Sequence, residues 1–108
     1  YPRGSNGAGQ AIIDARFLTG QIKRSGTTEA ALAAYETVRN PATAKVVLTN
    51  RTDPPDTILR EVWQRSGGKP FGRIEDVITA TELEAISERY KKVAGFDRET
   101  LKARPSFV

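Results

Sequence analysis

Apolar residues return at every third or fourth position along nearly all of this 108-residue chain, and alternation at every second position is nowhere sustained. A three-to-four period is one side of an α-helix, and a period of two would be a half-buried strand. The fold class that follows is all-α. From Gly7 to Lys23 the apolar stripe is Ala8, Ala11, Ile12, Ala15, Leu18 and Ile22, and Ile13 and Phe17 widen it. Gln10, Asp14 and Gln21 fall on another side. A stripe that broad predicts the most buried helix in the chain.

Start and stop signals divide the rest into about five helices, with breaks near 25–27, 40–41, 51–53 and 67–78. Ser25-Gly26 ends the first helix, with Lys23 and Arg24 in a last turn that favours cations. Thr27 or Thr28 suits the cap of a second, whose inner face is Ala31, Leu32, Tyr35 and Val38. Asn40-Pro41 reads as a break followed by a new start, and Asp53-Pro54-Pro55-Asp56 repeats that signal. The helix after it carries Ile58, Leu59, Val62 and Trp63 on one side and stops at Gly67-Gly68. Thr79 and Glu82 have the spacing of a capping box, and Ile78 and Leu83 that of a hydrophobic staple. Gly95 suits the left-handed turn that ends this helix, and Asp97 suits the cap of a last short turn before Arg104-Pro105.

Composition narrows the chemistry. With neither cysteine nor histidine, the chain has no disulfide, no thiol nucleophile, no imidazole base and no ordinary zinc site. No stretch approaches the ~18 apolar residues of a membrane span, and no signal peptide opens the chain. The expectation is a cytoplasmic protein with no membrane partner. The net charge of +4 is spread among acids, as in Arg60-Glu61 and Glu88-Arg89, which describes a solvated surface and not a nucleic-acid patch. The chain begins Tyr1-Pro2-Arg3-Gly4 and contains no methionine, from which a fragment is expected.

One stretch stands apart: Pro2-Arg3-Gly4-Ser5-Asn6-Gly7-Ala8-Gly9-Gln10. Its glycines allow positive φ and close approach to a ligand, and it runs directly into a helix whose first amides lack internal partners. With the helix dipole added, this is an anion site that needs no charged side chain. The residues equally allow a glycine-rich linker ahead of an ordinary helix. Gly4, Gly7 and Gly9 do not follow the G-x-G-x-x-G order of a dinucleotide site, and the P-loop residues are missing.

The wording from Tyr1 through Asn6-Gly7-Ala8-Gly9-Gln10-Ala11-Ile12-Ile13-Asp14-Ala15 resembles the segment after the Gly-Asp flavin motif in the para-hydroxybenzoate hydroxylase family of FAD-dependent monooxygenases. It is most similar to the bacterial phenazine- and quinolone-type members. Tyr35-Glu36 through Arg39-Asn40-Pro41 to Asn50-Arg51 resembles the helix pair that follows in that family, and the C-terminal half matches more loosely. The resemblance implies an all-α fragment that packs on the FAD-binding domain of a larger α/β flavoprotein. Residues 1–50 would hold the flavin-facing loop and helices, and residues 51–108 a C-terminal helical extension. It implies cofactor contacts by Pro2, Gly4, Ser5, Asn6, Gly7, Ala8 and Gly9, with Pro2 near the ring face and Asn6 at the pyrimidine end. The amides of Gly7, Ala8 and Gly9 would face the N1–C2=O edge, where reduced flavin carries negative charge.

The same resemblance implies NAD(P)H, oxygen and an aromatic or heteroaromatic substrate for the complete enzyme, and it leaves this stretch inactive alone and unable to hold FAD tightly. The family's G-x-G-x-x-G, acidic ribose partner, D-G motif and substrate-binding sheet are not among these residues. The expected partner is therefore the remainder of its own polypeptide, with an artificial oligomer possible for the isolated piece. Asp14 reads as a structural hydrogen-bonding residue, Phe17 and Trp63 as core or interface residues, and Asp53 and Asp56 as cap and first-turn acids. Tyr35 and Tyr90 sit on apolar stripes and take no catalytic role. The competing reading is a standalone basic helical module that binds a protein or a nucleic acid.

Overall fold

The structure, a computed structural model, describes residues 2–108; Tyr1 and the Pro2 side chain lie outside the described residues. No strand occurs among those described. Five α-helices follow in order: α1 (Gly7–Ser25), α2 (Glu29–Thr52), α3 (Thr57–Ser66), α4 (Ala80–Ala94) and α5 (Arg98–Ala103). Short 3-10 turns occupy Pro2–Gly4 and Ile74–Asp76. The all-α expectation holds.

Most boundaries form where the caps require them. Gly26 closes α1 at φ 70°, donating its N–H to the Ile22 carbonyl. Thr28, not Thr27, caps α2 by accepting from the Ala31 amide at 3.3 Å. Both halves of the capping box are made at α4: the Glu82 amide donates to Thr79 Oγ1 at 3.2 Å and the Thr79 amide to Glu82 Oε2 at 3.0 Å. Gly95 ends α4 in the left-handed conformation, and Asp97 caps α5 through the Thr100 amide.

The expected break at Asn40-Pro41 does not form. Pro41 lies inside α2 and deprives the Thr37 carbonyl of its helical donor, an arrangement that costs about 3 kcal/mol in an isolated helix. Buried contacts on both sides hold the helix through it: Arg39 before the proline, and Val46 and Asn50 after it. Tertiary packing overrides the local signal. The start expected at Asp53 is also displaced. Asp53 closes α2 through its own amide, and α3 opens four residues later after a turn in which Thr57 N–H donates to Pro54 C=O at 3.0 Å.

Helices α1 and α2 form a hairpin; α4 lies against α2 and α3. Burial within α1 corrects the expected stripe. Its fully buried residues are Ile13 and Gly20, while Ala8, Ala11 and Ala15 are exposed and Ile12 is 62% exposed. The packed face runs Gln10, Ile13, Phe17, Gly20, a row at the right spacing whose glutamine and glycine hid it. α2 buries more than α1, contributing Ala31, Arg39, Val46 and Asn50, while Leu32 and Val38 of its expected inner face stay exposed. Trp63 is 68% exposed, so it is not a core residue of this unit.

The buried apolar set is small: Ile13, Ala31, Val46, Ile78, Tyr90 and Ala94. The molecule is also long, 59 × 26 × 16 Å with a radius of gyration of 18.1 Å, where a compact domain of this length has about 13 Å. Near the chain terminus, Phe107 meets Phe17 edge-on at 5.4 Å, and its backbone passes so close to Gly20 that a side chain there would collide with it.

Candidate functional site: the loop entering the first helix

The glycine-rich stretch forms one 3-10 turn, a single residue in the left-handed region, and the start of α1. That left-handed residue is Ser5, at φ 50°, and none of Gly4, Gly7 and Gly9 takes a positive φ. The glycines therefore serve close approach and not backbone freedom. A side chain on Gly4 would overlap the Tyr90 hydroxyl and lie 2.7 Å from Asn50 Oδ1. One on Gly9 would lie 2.7 Å from the Phe96 ring. Gly7 alone has no atom within 4 Å of that position, and it faces open space. Two of the three glycines are thus explained by packing within the chain, and the third marks its open side.

Four sets of contacts fix the loop and the first turns of α1 from below. Arg3 donates to Asp56 Oδ2 at 2.6 Å, and hydrogen bonding from that guanidinium holds the Asp56 carboxyl below its ordinary range. Asp56, expected as a first-turn acid, stands instead at the N-cap position of α3, where its side chain makes this ion pair and caps nothing. Asn6 Nδ2 donates to Tyr90 Oη at 3.3 Å, and Tyr90 Oη donates to Asn50 Oδ1 at 2.7 Å. Gln10 Nε2 donates to the Ala94 carbonyl at 2.9 Å. Arg39 completes the set, donating to Gln10 Oε1 at 2.8 Å and to Asp14 Oδ1 at 2.6 Å. Arg39 is 8% exposed, and the partners it finds are what make that burial tolerable. Asp14 is thereby the structural residue the sequence suggested.

The upper side is different. Asn6 occupies the N-cap position at φ −108° and ψ −3°, and its side chain caps nothing. No acidic residue lies in the first turn of α1. The Asn6 carbonyl accepts from the Gln10 amide, and the amides of Gly7, Ala8 and Gly9 have no hydrogen-bond partner among the described residues. The result is a set of backbone donors at the positive end of a 19-residue helix, beside an open glycine. Such an edge can hold an anionic or carbonyl oxygen without any charged side chain.

Of the residues singled out in the sequence, Gly7, Ala8 and Gly9 supply these donors, Gly4 and Asn6 are held by Tyr90, and Ser5 makes the turn between them. The Pro2 side chain lies outside the described residues. Sequence reading missed Tyr90 and Asn50. Tyr90 fits its apolar stripe too well to attract notice. Asn50 shares one face of α2 with Arg39, Thr43 and Val46, and because three of those four are polar the face does not stand out as an apolar stripe. No cluster of His, Cys, Asp or Glu able to hold a metal occurs among the described residues, and no helix there is long and apolar enough to cross a membrane.

No family model matches the sequence, and no solved structure does. A curated relative does: the phenazine 1,6-dicarboxylic acid hydroxylase PhzS of Lysobacter antibioticus, 47% identical over 93 residues. The match takes in 86% of this chain and 20% of the relative, so the chain spans about a fifth of the length of the protein it matches. The likeness to phenazine-type hydroxylases suggested by the opening residues is borne out: over most of its length, this chain is similar to one part of that phenazine hydroxylase.

Proposed function

We propose that the chain is the flavin-facing C-terminal portion of an FAD-dependent monooxygenase that hydroxylates an aromatic or heteroaromatic compound using NAD(P)H and oxygen. The observation that carries this reading is the start of α1, where uncapped amides and the open Gly7 face outward with no acid beside them. That donor set fits the pyrimidine edge of an isoalloxazine ring, whose oxygen and N1 gain negative charge on reduction. Gly7, Ala8 and Gly9 would hold that edge, with Gly4, Ser5, Asn6 and Pro2 around it.

FAD, when bound, supplies acceptance of a hydride and activation of oxygen. The chain's own contribution is electrostatic and positional. The amides of the first turn offer fixed donors whose direction is already set, so little reorganisation is needed as charge develops. Arg39, Gln10 and Asp14 keep the helix end rigid from beneath. The division at residue 50, with the flavin-facing part before it and a helical extension after it, belongs to this proposal too. So does the absence of catalysis by these residues alone.

The rival reading as a nucleic-acid module needs a continuous basic face. Arg65 with Glu82 and Glu61, Arg73 with Glu75, and Lys91 with Glu88 instead break the positive charge into pairs. The deciding experiment is an FAD titration of the full-length polypeptide beside the 108-residue chain. Flavin absorbance retained by the former through gel filtration, with no submicromolar binding by the latter, is the expected result. A full-length polypeptide that holds no flavin overturns the proposal.

A further inference from the structure

We propose that Tyr90 is a positioning residue for the α1 amides: its hydroxyl holds Asn6 away from its own helix, leaving the first turn uncapped for a ligand. The inference rests on the flavin reading for what the ligand is, but not for the mechanics. Asparagine is among the best N-cap residues because its side-chain oxygen accepts from an amide in the first turn. Asn6 stands at that position in α1 and does not do so. Its amide group is instead engaged 84 residues further along the chain, donating to Tyr90.

The geometry behind this diversion is specific. Tyr90 and Asn50 are 9% and 4% exposed, and Tyr90 commits its hydroxyl proton to Asn50 Oδ1 at 2.7 Å. The hydroxyl then has only acceptor capacity left, which selects the nitrogen of Asn6 and not its oxygen. Gly4 is the counterpart on the backbone side: any side chain there would displace the same hydroxyl. The segment between Gly4 and Asn6 is pinned at both ends, with Ser5 held at φ 50° in a region that non-glycine residues disfavour. Asn6 itself sits in the helical region, where N-caps are usually extended. A hydroxyl from α4 and an amide from α2 thus decide whether a helix whose first residues lie far away in sequence is capped.

Tyr90→Phe keeps the ring and removes the hydroxyl, freeing Asn6 to relax and cap. Hydrogen exchange at the Ala8 and Gly9 amides of the flavin-free protein should then slow by roughly fivefold, the factor a typical side-chain cap is worth. Asn6→Ser is the second variant. Serine cannot reach Tyr90 but can cap, the buried Tyr90–Asn50 pair stays intact, and the same slowing is expected even if Tyr90→Phe folds poorly. Unchanged exchange in Asn6→Ser overturns the proposal whatever the flavin does. In the flavin-loaded full-length protein, both variants should weaken the preference for reduced over oxidised flavin about tenfold, which is ~30 mV for a two-electron couple. Slowed exchange with an unmoved potential overturns the link between Tyr90 and the flavin. A full-length protein without flavin overturns the functional reading only, and exchange at Ala8 and Gly9 still decides the role of Tyr90.

Discussion

Arg39 shows at the scale of single residues how polar groups stabilise so thin a core. It bridges α1 and α2 through Asp14 and Gln10, and Gln10 in turn reaches the end of α4. Removing one partner of a buried pair leaves the others desolvated and unpaired, at a cost of about 3–5 kcal/mol when burial is complete. Asp14 is only partly covered, its side chain 28% exposed, so Arg39→Met should cost roughly 2–3 kcal/mol, near the cost of one unsatisfied charged group. Urea unfolding followed by circular dichroism would measure it; a loss below half a kcal/mol would mean the network is ornamental. This residue was legible as part of a motif but not as a bridge, because the sequence holds no sign of which face of α2 turns inward. Tyr90 and Asn50 were illegible for a related reason. The pairing of a hydroxyl with an amide 40 residues away leaves no local pattern, and the clue in Gly4 is steric and needs coordinates.

Elements whose boundaries are decided by their own residues were readable, and those decided by neighbours were not. Thr79 with Glu82, Gly95, Gly26 and Gly67 all act where the sequence places them. The capping box also carries a pH dependence with a definite sign. The Thr79 amide first, and then Arg65, hold the Glu82 carboxyl down at about 2, against an ordinary 4.5. A carboxyl depressed in the folded state contributes stability that is complete above the ordinary value and is lost as pH falls toward the folded one. The start of α4 should therefore fray between pH 4.5 and about 2, seen as faster exchange and an upfield move of the Thr79 amide resonance. Glu82→Gln should flatten that response while lowering the helix's protection at neutral pH; an unaltered acid profile would remove Glu82 as its source. Pro41 is the opposite case, a strong local stop signal overruled by Arg39, Val46 and Asn50. Pro41→Ala restores a donor to the Thr37 carbonyl and should raise stability by about 1–2 kcal/mol, less than the full ~3 because the turn has already adapted. Denaturant midpoints would check the sign, and a loss of stability would show that α2 depends on its proline.

The shape of the whole molecule sets its need for a neighbour. Its accessible surface is 7560 Å², whereas a compact monomer of 11.8 kDa exposes roughly 5,900 Å². The excess is about twice the ~800 Å² that one partner buries in a standard interface. Part of it is apolar and arranged on continuous faces: Ile12 with Ala8, Ala11 and Ala15 along α1, Val47 and Leu48 on α2, Leu59 and Trp63 on α3. The stripe that predicted a deeply buried α1 was thus a correct reading of an apolar face and an incorrect reading of what covers it. Among the described residues nothing does. On the proposed function the remainder of the flavoprotein would, which makes opposite expectations for one substitution in two settings. The isolated chain should self-associate above tens of micromolar, as large exposed apolar patches do, and Ile12→Lys should shift it toward monomer in sedimentation velocity. In the full-length protein the same lysine would be forced against the covering domain and lose the burial of an isoleucine, worth about 1.5–3 kcal/mol. The melting temperature should fall there, while the isolated chain becomes better behaved. A chain that stays monomeric and melts cooperatively at every concentration, with Ile12→Lys harmless in both settings, would mean that the exposed stripe of α1 faces water by design and that no larger domain rests on it.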